Sequence, residues 1–243
     1  MARIFITGSA DGLGHLAAGE LTAQGHQVML HARNETRGRE ALDKVPGAEG
    51  VVTADLGSIA ETKELASKVN ALGTFDAVIH NAGLYQDSGE KIFAVNTLAP
   101  YILTCLIQKP ERLIYLSSGM HMQGHFAPED FRGGTPRITY SDSKLHVVML
   151  CFAAARKWPE VYANALDPGW VPTRMGGMGA PDDLQKGFET QVWLAVSDEE
   201  KAKVSGKYFH HKKVTRHNPE ADDAASQEKF LDLCEEITGV SLH

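Results

Sequence analysis

Short apolar runs alternate with longer amphipathic segments along the whole chain. The runs suit buried strands, and the longer segments suit helices that cover a sheet. The predicted strands are Arg3–Thr7, Gln27–His31, Gly50–Thr53, Ala77–His80, Arg112–Ser117, Val161–Leu166 and Gly206–Phe209, and the predicted helices are Leu13–Gln24, Glu35–Lys44, Ile59–Leu72, Lys91–Gln108, Thr139–Lys157, Pro181–Ala195 and Ala225–Thr238. This order predicts an α/β fold, a doubly wound seven-stranded parallel sheet with helices on both faces.

The pattern gives no sign of a second domain. A chain of 243 residues that is 43% hydrophobic can bury one sizeable core, and it contains no repeat, low-complexity tract or long linker. We therefore expect one domain over residues 1–243. The longest irregular segment is Gly119–Ile138, and irregular segments of that size in compact domains are usually functional.

Charge and cysteine content exclude several classes of partner. The formal charge of −7 argues against nucleic acid and anionic membrane surfaces. Cys105, Cys151 and Cys234 are odd in number and widely spaced in apolar surroundings, so we expect core thiols. The chain starts directly with an apolar run and a glycine loop, without a signal peptide, and no later stretch is long and apolar enough to cross a bilayer. These features predict a cytoplasmic protein.

A glycine-rich loop, TGSADGLG, lies between the first predicted strand and the first predicted helix. In a dinucleotide-binding fold this loop turns its backbone amides toward a pyrophosphate. Gly8 lets the chain turn, Gly12 permits close approach of the phosphates, and Gly14 lets the helix pack against the strand. The spacing differs from the commoner G-x-G-x-x-G, but the required strand and helix flank it.

The end of the second strand bears on which dinucleotide binds. NAD sites usually place a carboxylate there, whereas an arginine accommodates the 2′-phosphate of NADP. The chain has Ala32 at the acid's position and Arg33 next, which favours NADP(H) and leaves NAD(H) possible. Asp11 argues against NADP, because it is an acid at a place in the glycine loop where NADP enzymes often carry a second base. As an alternative to phosphate binding, Arg33 would only cap or solvate the end of the strand.

Two further segments are candidate cofactor contacts. Asp55 follows the third strand and either accepts a hydrogen bond from the adenine amino group or caps the next helix with Ser58 nearby. Asn81 and Gly83 follow the fourth strand at the carboxyl edge of the sheet. Both residues could frame the cofactor cleft. The alternative for Asn81 is that its side chain only ties neighbouring strands together.

Tyr140 and Lys144 stand four positions apart at the head of a predicted helix, so both lie on one helical face. Taken alone, Tyr140 and Lys144 have an alternative interpretation as ordinary surface residues without a function. A phenol with a cation beside it can exchange a proton with a substrate oxygen. The other motifs in the chain decide between these two interpretations of the Tyr140–Lys144 pair.

Taken together, the motifs resemble the short-chain dehydrogenase/reductase family over nearly the whole chain. The residues that carry the resemblance are the TGxxxGxG loop, Asp55, NAG at Asn81–Gly83, Asn96, the SS pair that ends in Ser118, the YxxxK of Tyr140 and Lys144, and PGWVPT at Pro168–Thr173. The resemblance implies a Rossmann-fold oxidoreductase with its substrate site in the C-terminal half. The long Ser–Tyr spacing is similar to the retinol-dehydrogenase-like branch.

The resemblance also implies catalytic roles. Tyr140 would be the general acid or base, and Lys144 would lower the pKa of its phenol and bind the nicotinamide ribose. Ser118 would donate to the substrate oxygen; it is preferred to Ser117 because the family's serine is usually the second of the pair. Asn96 would hold a water of the proton relay, with a purely structural role as the alternative.

The resemblance assigns the cofactor site to residues at the ends of several strands. The expected contacts are Gly8, Ser9, Asp11, Gly12, Leu13, Gly14, Arg33, Asp55, Leu56, Asn81, Ala82, Gly83, Tyr140, Lys144, Pro168, Gly169, Val171 and Thr173. Thr173 would reach the nicotinamide carboxamide.

These observations lead to one functional hypothesis and two alternatives. The hypothesis is an NADP(H)-preferring carbonyl reductase or alcohol dehydrogenase for a small or medium apolar substrate. The alternatives are an NAD-linked dehydrogenase of the same fold and a catalytically silent dinucleotide sensor. We expect no metal site, no nucleic-acid or membrane partner, and a homo-oligomer, a dimer or tetramer, built through helices that include Thr139–Lys157.

Two irregular segments, the loop 119–138 and the stretch after Thr173, carry further candidate features. Met120, Met122, Phe126 and Phe131 either line a substrate pocket or pack the loop against the sheet. The glycine-rich stretch RMGGMGAPDDLQKG has the composition of a mobile lid. The late run HHKKVTRH is interpreted as a solvated basic edge.

Overall fold

The computed structural model describes residues 1–131 and 137–243, and these build one mainly parallel sheet between two layers of helices. The strands are β1 Arg3–Ile6, β2 Gln27–Ala32, β3 Gly50–Thr53, β4 Ala77–His80, β5 Arg112–Leu116, β6 Tyr162–Asp167, β7 Lys207–His210 and β8 Lys213–Val214. The helices are α1 Gly12–Ala23, α2 Glu35–Lys44, α3 Ile59–Ala71, α4 Gly89–Ile92, α5 Ala99–Leu106, α6 Tyr140–Lys157, α7 Leu184–Val196 and α8 Ala224–Thr238.

The sheet order is β3-β2-β1-β4-β5-β6-β7-β8, and the first seven strands pair in parallel. The order reverses after β1, which is the doubly wound topology expected from the sequence. Residues of β1 alternate between two cores: Phe5 packs on one face, whereas Ile4 and Ile6 pack on the other. Helices therefore cover both faces of the sheet.

The prediction of seven strands is wrong, because β8 adds an eighth, antiparallel strand at the edge of the sheet. The two-residue turn between β7 and β8 consists of His211 and Lys212, whose φ angles are 48° and 61°. Hairpin turns with positive φ are usually signalled by Asn-Gly or Asp-Gly. The His211–Lys212 turn carries no such signal and β8 has only two residues, so the run HHKKVTRH is interpreted from the sequence as a solvated basic edge and not as a strand.

The predicted helix Lys91–Gln108 is also interrupted. The structure has α4, then a π-helical turn at Phe93–Leu98, then α5, which ends at Leu106. Pro100 lies near the start of α5 and lacks the amide hydrogen that a continuous α-helix requires. The π-helical turn contains Asn96, and such turns occur frequently at functional sites.

Helix α6 is enclosed by the rest of the chain. Every residue from 143 to 154 is buried, on faces that meet β5 and β6, the segment 119–131 and α8. Phe126, Phe131 and Phe230 surround His146 with ring centroids 5.1 to 6.0 Å from the imidazole. The phenylalanines of the irregular segment therefore pack against α6 and α8, while Met120 and Met122 are exposed.

Candidate active site

The carboxyl ends of β1, β4, β5 and β6 meet at one edge of the sheet, as they do in any parallel arrangement. The glycine loop follows β1, Asn81–Gly83 follows β4, Ser118 follows β5, and Pro168–Thr173 follows β6. Motifs that are up to 165 residues apart in the sequence are therefore gathered around one crevice.

The glycine loop has no room for side chains at two of its three glycines. A Cβ on Gly8 would lie 2.8 Å from the Cα of Ala82, and a Cβ on Gly14 would lie 2.3 Å from the side-chain nitrogen of Asn81. Gly12 has open space around it but a φ of +57°. The N-terminus of α1 therefore faces the crevice with its amides accessible, and the Asp11 carboxylate caps that helix by accepting from the Gly12 amide at 2.8 Å.

Asn81 joins the end of β4 to the glycine loop. Its amide nitrogen donates to the carbonyl oxygens of Thr7 at 3.0 Å and Gly8 at 3.1 Å. The Thr7 hydroxyl oxygen in turn accepts from the backbone amides of Asn81 and Ala82. Asn81 therefore ties the end of β4 to the glycine loop, and its place at the cofactor cleft stays a prediction.

His31, which sequence reasoning missed, links the glycine loop to the loop after β3. Its Nδ1 accepts from the Gly8 amide at 3.0 Å, so Nε2 carries the hydrogen and donates to the Ala54 carbonyl at 3.2 Å. Burial lowers the pKa of the imidazole to about 4. His31 is therefore a neutral spacer between two candidate cofactor loops.

The Asp55 carboxylate forms a local turn, because it accepts from the Gly57 amide at 2.9 Å. The backbone amide of Asp55 donates to the Glu61 carboxylate at 2.8 Å. The cap of α3 is Ser58 and not Asp55. Leu56 is buried.

Two arginines lie in the segment that follows β2. Arg33 is exposed just after β2 and has no ion pair with any of the described residues. Arg37, in the first turn of α2, lies 3.3 Å from the Asp11 carboxylate and 3.0 Å from that of Glu40. The sequence analysis missed Arg37, which places a second guanidinium next to the cap of α1.

Asn96 is almost fully buried in the π-helical turn. Its Oδ1 accepts from the Leu84 amide at 2.7 Å, and its Nδ2 donates to the Leu84 carbonyl at 2.9 Å and to the Ser143 hydroxyl at 3.0 Å. The side chain therefore fixes the segment after Gly83 to the first turn of α6. These contacts match the structural alternative for Asn96, and its role in holding a water of the proton relay stays a prediction.

Helix α6 begins with a capping box in which Thr139 and Asp142 satisfy each other's backbone amides. The cap fixes Tyr140 in the first turn and Lys144 one turn later. The Lys144 ammonium is buried, donates to the Leu116 carbonyl at 2.9 Å, and lies 5.6 Å from the centre of the Tyr140 ring. A Cβ on Gly83 would lie 3.2 Å from the Lys144 nitrogen.

The two serines after β5 have different surroundings. Ser117 is buried, and its hydroxyl donates to the Lys144 carbonyl at 2.8 Å. Ser118 is partly exposed, and its side chain acts on the Tyr140 hydroxyl in the direction that lowers the phenol pKa. Ser118 is therefore the serine whose hydroxyl shares the crevice with Tyr140.

His121 holds the backbone of Ser118 in place. Its Nε2 accepts from the Asn218 amide at 3.1 Å, so Nδ1 carries the hydrogen and donates to the Ser118 carbonyl at 2.7 Å. Burial lowers the pKa of this imidazole. Both ring nitrogens are thus occupied, and the described residues contain no cluster of three or more side chains able to hold a metal ion.

The pKa of Tyr140 in this structure is set mainly by burial. Burial raises it to about 12, the hydrogen bond with Ser118 acts in the opposite direction, and the Asp167 carboxylate and Tyr85 raise it further. Burial also lowers the pKa of Lys144 to about 8, against the effect of Asp167. Burial of the phenol outweighs the effect of Ser118, and the expected lowering of the phenol pKa by Lys144 stays a prediction for the cofactor-bound enzyme.

The segment after β6 closes the crevice on its far side. Gly169 has a φ of +82°, and a Cβ there would lie 2.7 Å from the Asp182 carboxylate, which accepts from the Trp170 amide at 2.6 Å. Val171 is buried, and the Thr173 hydroxyl accepts from the Gly176 amide at 3.2 Å. Trp170, Met175 and Met178 are exposed, so the predicted lid segment carries an apolar outer surface.

The doubly wound fold and the order of the motifs along it are those of a dinucleotide-binding oxidoreductase. Comparison of the sequence with known proteins supports the same class. A profile described as short chain dehydrogenase matches residues 2–117. An uncharacterized oxidoreductase of Emericella nidulans is 45% identical over 100% of this chain and 99% of its own length. A short-chain dehydrogenase of Penicillium rubens is 42% identical over 100% of this chain and 99% of its own length. The chain belongs to the short-chain dehydrogenase/reductase family of oxidoreductases.

More distant proteins agree in family and in fold. Human retinol dehydrogenase 13 is 29% identical over 90% of this chain and 79% of its own length. The structure of a blue fluorescent protein from a metagenomic library in complex with NADPH has a TM-score of 0.72 and 18% identity, covering 86% of this chain and 95% of that one. No helix among the described residues has the length and apolar character needed to span a membrane.

Proposed function

We propose that the protein is an NADP(H)-preferring carbonyl reductase or alcohol dehydrogenase for small or medium apolar substrates. The observation that carries the proposal is the convergence of Ser118, Tyr140 and Lys144 on one crevice at the carboxyl edge of the sheet. A hydroxyl donor, a proton donor and a cation are the groups that reduction of a carbonyl requires.

The glycine loop supports binding of a nicotinamide dinucleotide, because Gly8 and Gly14 pack closely and put no side chain between the N-terminus of α1 and a pyrophosphate. When bound, the cofactor supplies or accepts the hydride. We assign the pyrophosphate to Gly8, Ser9, Asp11, Gly12, Leu13 and Gly14, the adenine end to Arg33, Asp55 and Leu56, the middle to Asn81, Ala82 and Gly83, and the nicotinamide riboside to Tyr140, Lys144, Pro168, Gly169, Val171 and Thr173.

In this mechanism Ser118 donates a hydrogen bond to the carbonyl oxygen of the substrate, and Tyr140 gives that oxygen its proton. A pKa of about 12 keeps Tyr140 protonated at neutral pH, which favours the reducing direction. Lys144 acts through its charge, which stabilises the phenolate left behind. Asn96 positions the Leu84 backbone and Ser143 rather than the reacting atoms.

Arg33 and Arg37 support the preference for NADP(H). Arg37 lies beside the cap of α1 and Arg33 directly follows β2, and guanidinium groups suit the 2′-phosphate of NADP. The Asp11 carboxylate, which argued against NADP in the sequence, is paired with Arg37. The NAD-linked alternative needs a carboxylate at the end of β2, and Ala32 occupies that position.

The homo-oligomer remains a prediction, and so does the cytoplasmic location. Because α6 is enclosed, with α8 packed against it, we propose that any contact between copies uses the outer surface of α8 rather than α6. Size-exclusion chromatography with light scattering would give the number of copies. Substitutions on the exposed positions of α8, such as Glu235 and Asp232, would test the contact.

The test of the proposed activity is a panel of ketones and aldehydes assayed by loss of NADPH absorbance, with NADH measured in parallel. We expect turnover with NADPH on at least one apolar carbonyl compound. Equal turnover with NADH would favour the NAD-linked alternative. Binding of NADPH without turnover on any compound would favour the dinucleotide sensor.

A further inference from the structure

Asp167 places a carboxylate beside the candidate reacting groups. It is the last residue of β6, which runs parallel to β5, and the Ser117 amide donates to the neighbouring Leu166 carbonyl at 2.8 Å. A Cβ on Gly119 would lie 3.0 Å from Oδ2 of Asp167. The carboxylate is therefore next to the backbone that immediately follows Ser118.

The two carboxylate oxygens of Asp167 have different partners. Oδ1 accepts from the Gly169 amide at 2.9 Å, which shapes the turn after β6. Oδ2 has no lysine or arginine partner among residues 1–131 and 137–243, and its nearest base is His210, whose Nδ1 lies 3.5 Å away. That Nδ1 is closer to the Asp167 carbonyl, at 3.2 Å. Oδ2 consequently keeps accepting capacity on the crevice side.

The electrostatic influence of Asp167 reaches the groups that surround the crevice. The carboxylate raises the pKa of Tyr140 and Lys144 on α6 and acts in the same direction on His121, Tyr208 and His211. Asp167 therefore acts on both the phenol and the ammonium group, and its contact with Gly119 places the carboxylate one residue from Ser118.

The geometry points to Asp167 as a specificity-determining residue, whose carboxylate accepts a hydrogen bond from a hydroxyl or amino group on the carbon next to the reacting carbonyl. This inference rests on the proposed function. A site with a fixed acceptor rejects analogues that lack the donor, because the acceptor is then desolvated without a partner.

The test compares 2-hydroxyacetophenone with 2-methoxyacetophenone, which differ in the donor but little in the reactivity of the ketone. We expect the wild-type protein to reduce the hydroxy ketone with a kcat/KM about 10 to 100 times higher, the range for a hydrogen bond to a charged group. Asp167→Asn should abolish most of this preference, and Asn retains an oxygen acceptor for the Gly169 amide. The readout is the ratio of the two kcat/KM values, because loss of the charge also acts on Tyr140 and Lys144 and so affects both ketones alike.

Asp182→Asn is the matched control, because Asp182 is a second carboxylate at the same turn and its Oδ2 accepts from the Trp170 amide. We expect it to leave the ratio of the two kcat/KM values unchanged. Equal kcat/KM values in the wild-type protein would overturn the inference without any variant, as would an unchanged ratio in Asp167→Asn. Reduction of neither ketone, nor of any compound in the panel, would instead overturn the proposed function.

Discussion

The Arg37 guanidinium lies 3.3 Å from the Asp11 carboxylate, which joins the first turn of α2 to the cap of α1. The pair therefore places the Arg37 cation of α2 beside the glycine loop that precedes α1. It also changes the interpretation of Asp11, because a paired carboxylate opposes a nearby phosphate less than a free one does.

Loss of either arginine should lower selectivity for NADPH. We expect Arg37→Ala to lower kcat/KM for NADPH by about 10- to 100-fold, the range for a charge-assisted hydrogen bond, with little change for NADH. Arg33→Asp should invert the preference. Arg39→Ala removes an exposed arginine of the same helix and serves as the control. A preference for NADPH that survives Arg33→Asp would exclude Arg33 from the phosphate site.

Tyr140→Phe should abolish turnover while cofactor still binds, because only the hydroxyl is removed. The loss of a positioned proton donor corresponds to a decrease of about 100-fold or more. Tyr85→Phe is a matched control, since its ring packs edge-on against Tyr140 at 4.8 Å but has no role in proton transfer. Steady-state rates and cofactor titration by fluorescence measure the two effects. An unaltered rate in Tyr140→Phe would remove Tyr140 from the mechanism.

The rate of ketone reduction should fall as the pH rises through about 8. The pKa of Lys144 is lowered to about 8 by burial, so its ammonium group loses a proton there, while Tyr140 stays protonated up to about 12. The pH dependence of kcat/KM reports groups of the free enzyme and measures this limit. A profile that stays flat well above pH 8 would show that the charge of Lys144 does not limit the reaction.

Two glycines of α1 should respond oppositely to alanine. Gly14→Ala puts a Cβ 2.3 Å from the Asn81 amide nitrogen and should destabilise the protein by about 1–3 kcal/mol and weaken cofactor binding. Gly19 has open space for a Cβ, so Gly19→Ala should stabilise by about 0.5–1 kcal/mol. Urea unfolding measures both. Equal effects would contradict the close contact between the glycine loop and β4.

Acid should destabilise the fold through buried histidines such as His146. Burial lowers its pKa from 6.5 to about 3, so between these values the unfolded chain binds a proton that the folded chain does not. Stability therefore falls as the pH drops below about 6.5, by about 2 kcal/mol at pH 5 for this group. His146→Leu should remove that pH-dependent loss.

The measurement is the difference in unfolding free energy between pH 8 and pH 5, because the lost contact of His146 with Thr97 affects both values equally. His125→Leu, at an exposed position, should leave the difference unchanged. An identical difference in the wild-type protein and in His146→Leu would mean that the imidazole is not protected from protonation.

The sequence by itself determined the fold and most of the crevice. Buried parallel strands are continuous apolar runs, and a parallel sheet brings their carboxyl ends to one edge, so strand order and motif order together locate Gly8, Ser118 and Tyr140. The predicted helix from Thr139 was correct because its cap is a local interaction between Thr139 and Asp142. Local and periodic signals of this kind can be read from a single chain.

Only the tertiary structure decided which groups meet and in what charge state. Asp167 precedes a recognisable Pro-Gly pair, yet its position beside Gly119 depends on the pairing of β5 with β6. The raised pKa of Tyr140 depends on burial by segments remote in sequence. Burial and long-range contact are properties of the packed chain, which explains why the sequence identified Lys144 as the neighbour of the phenol but not the burial that raises the phenol pKa.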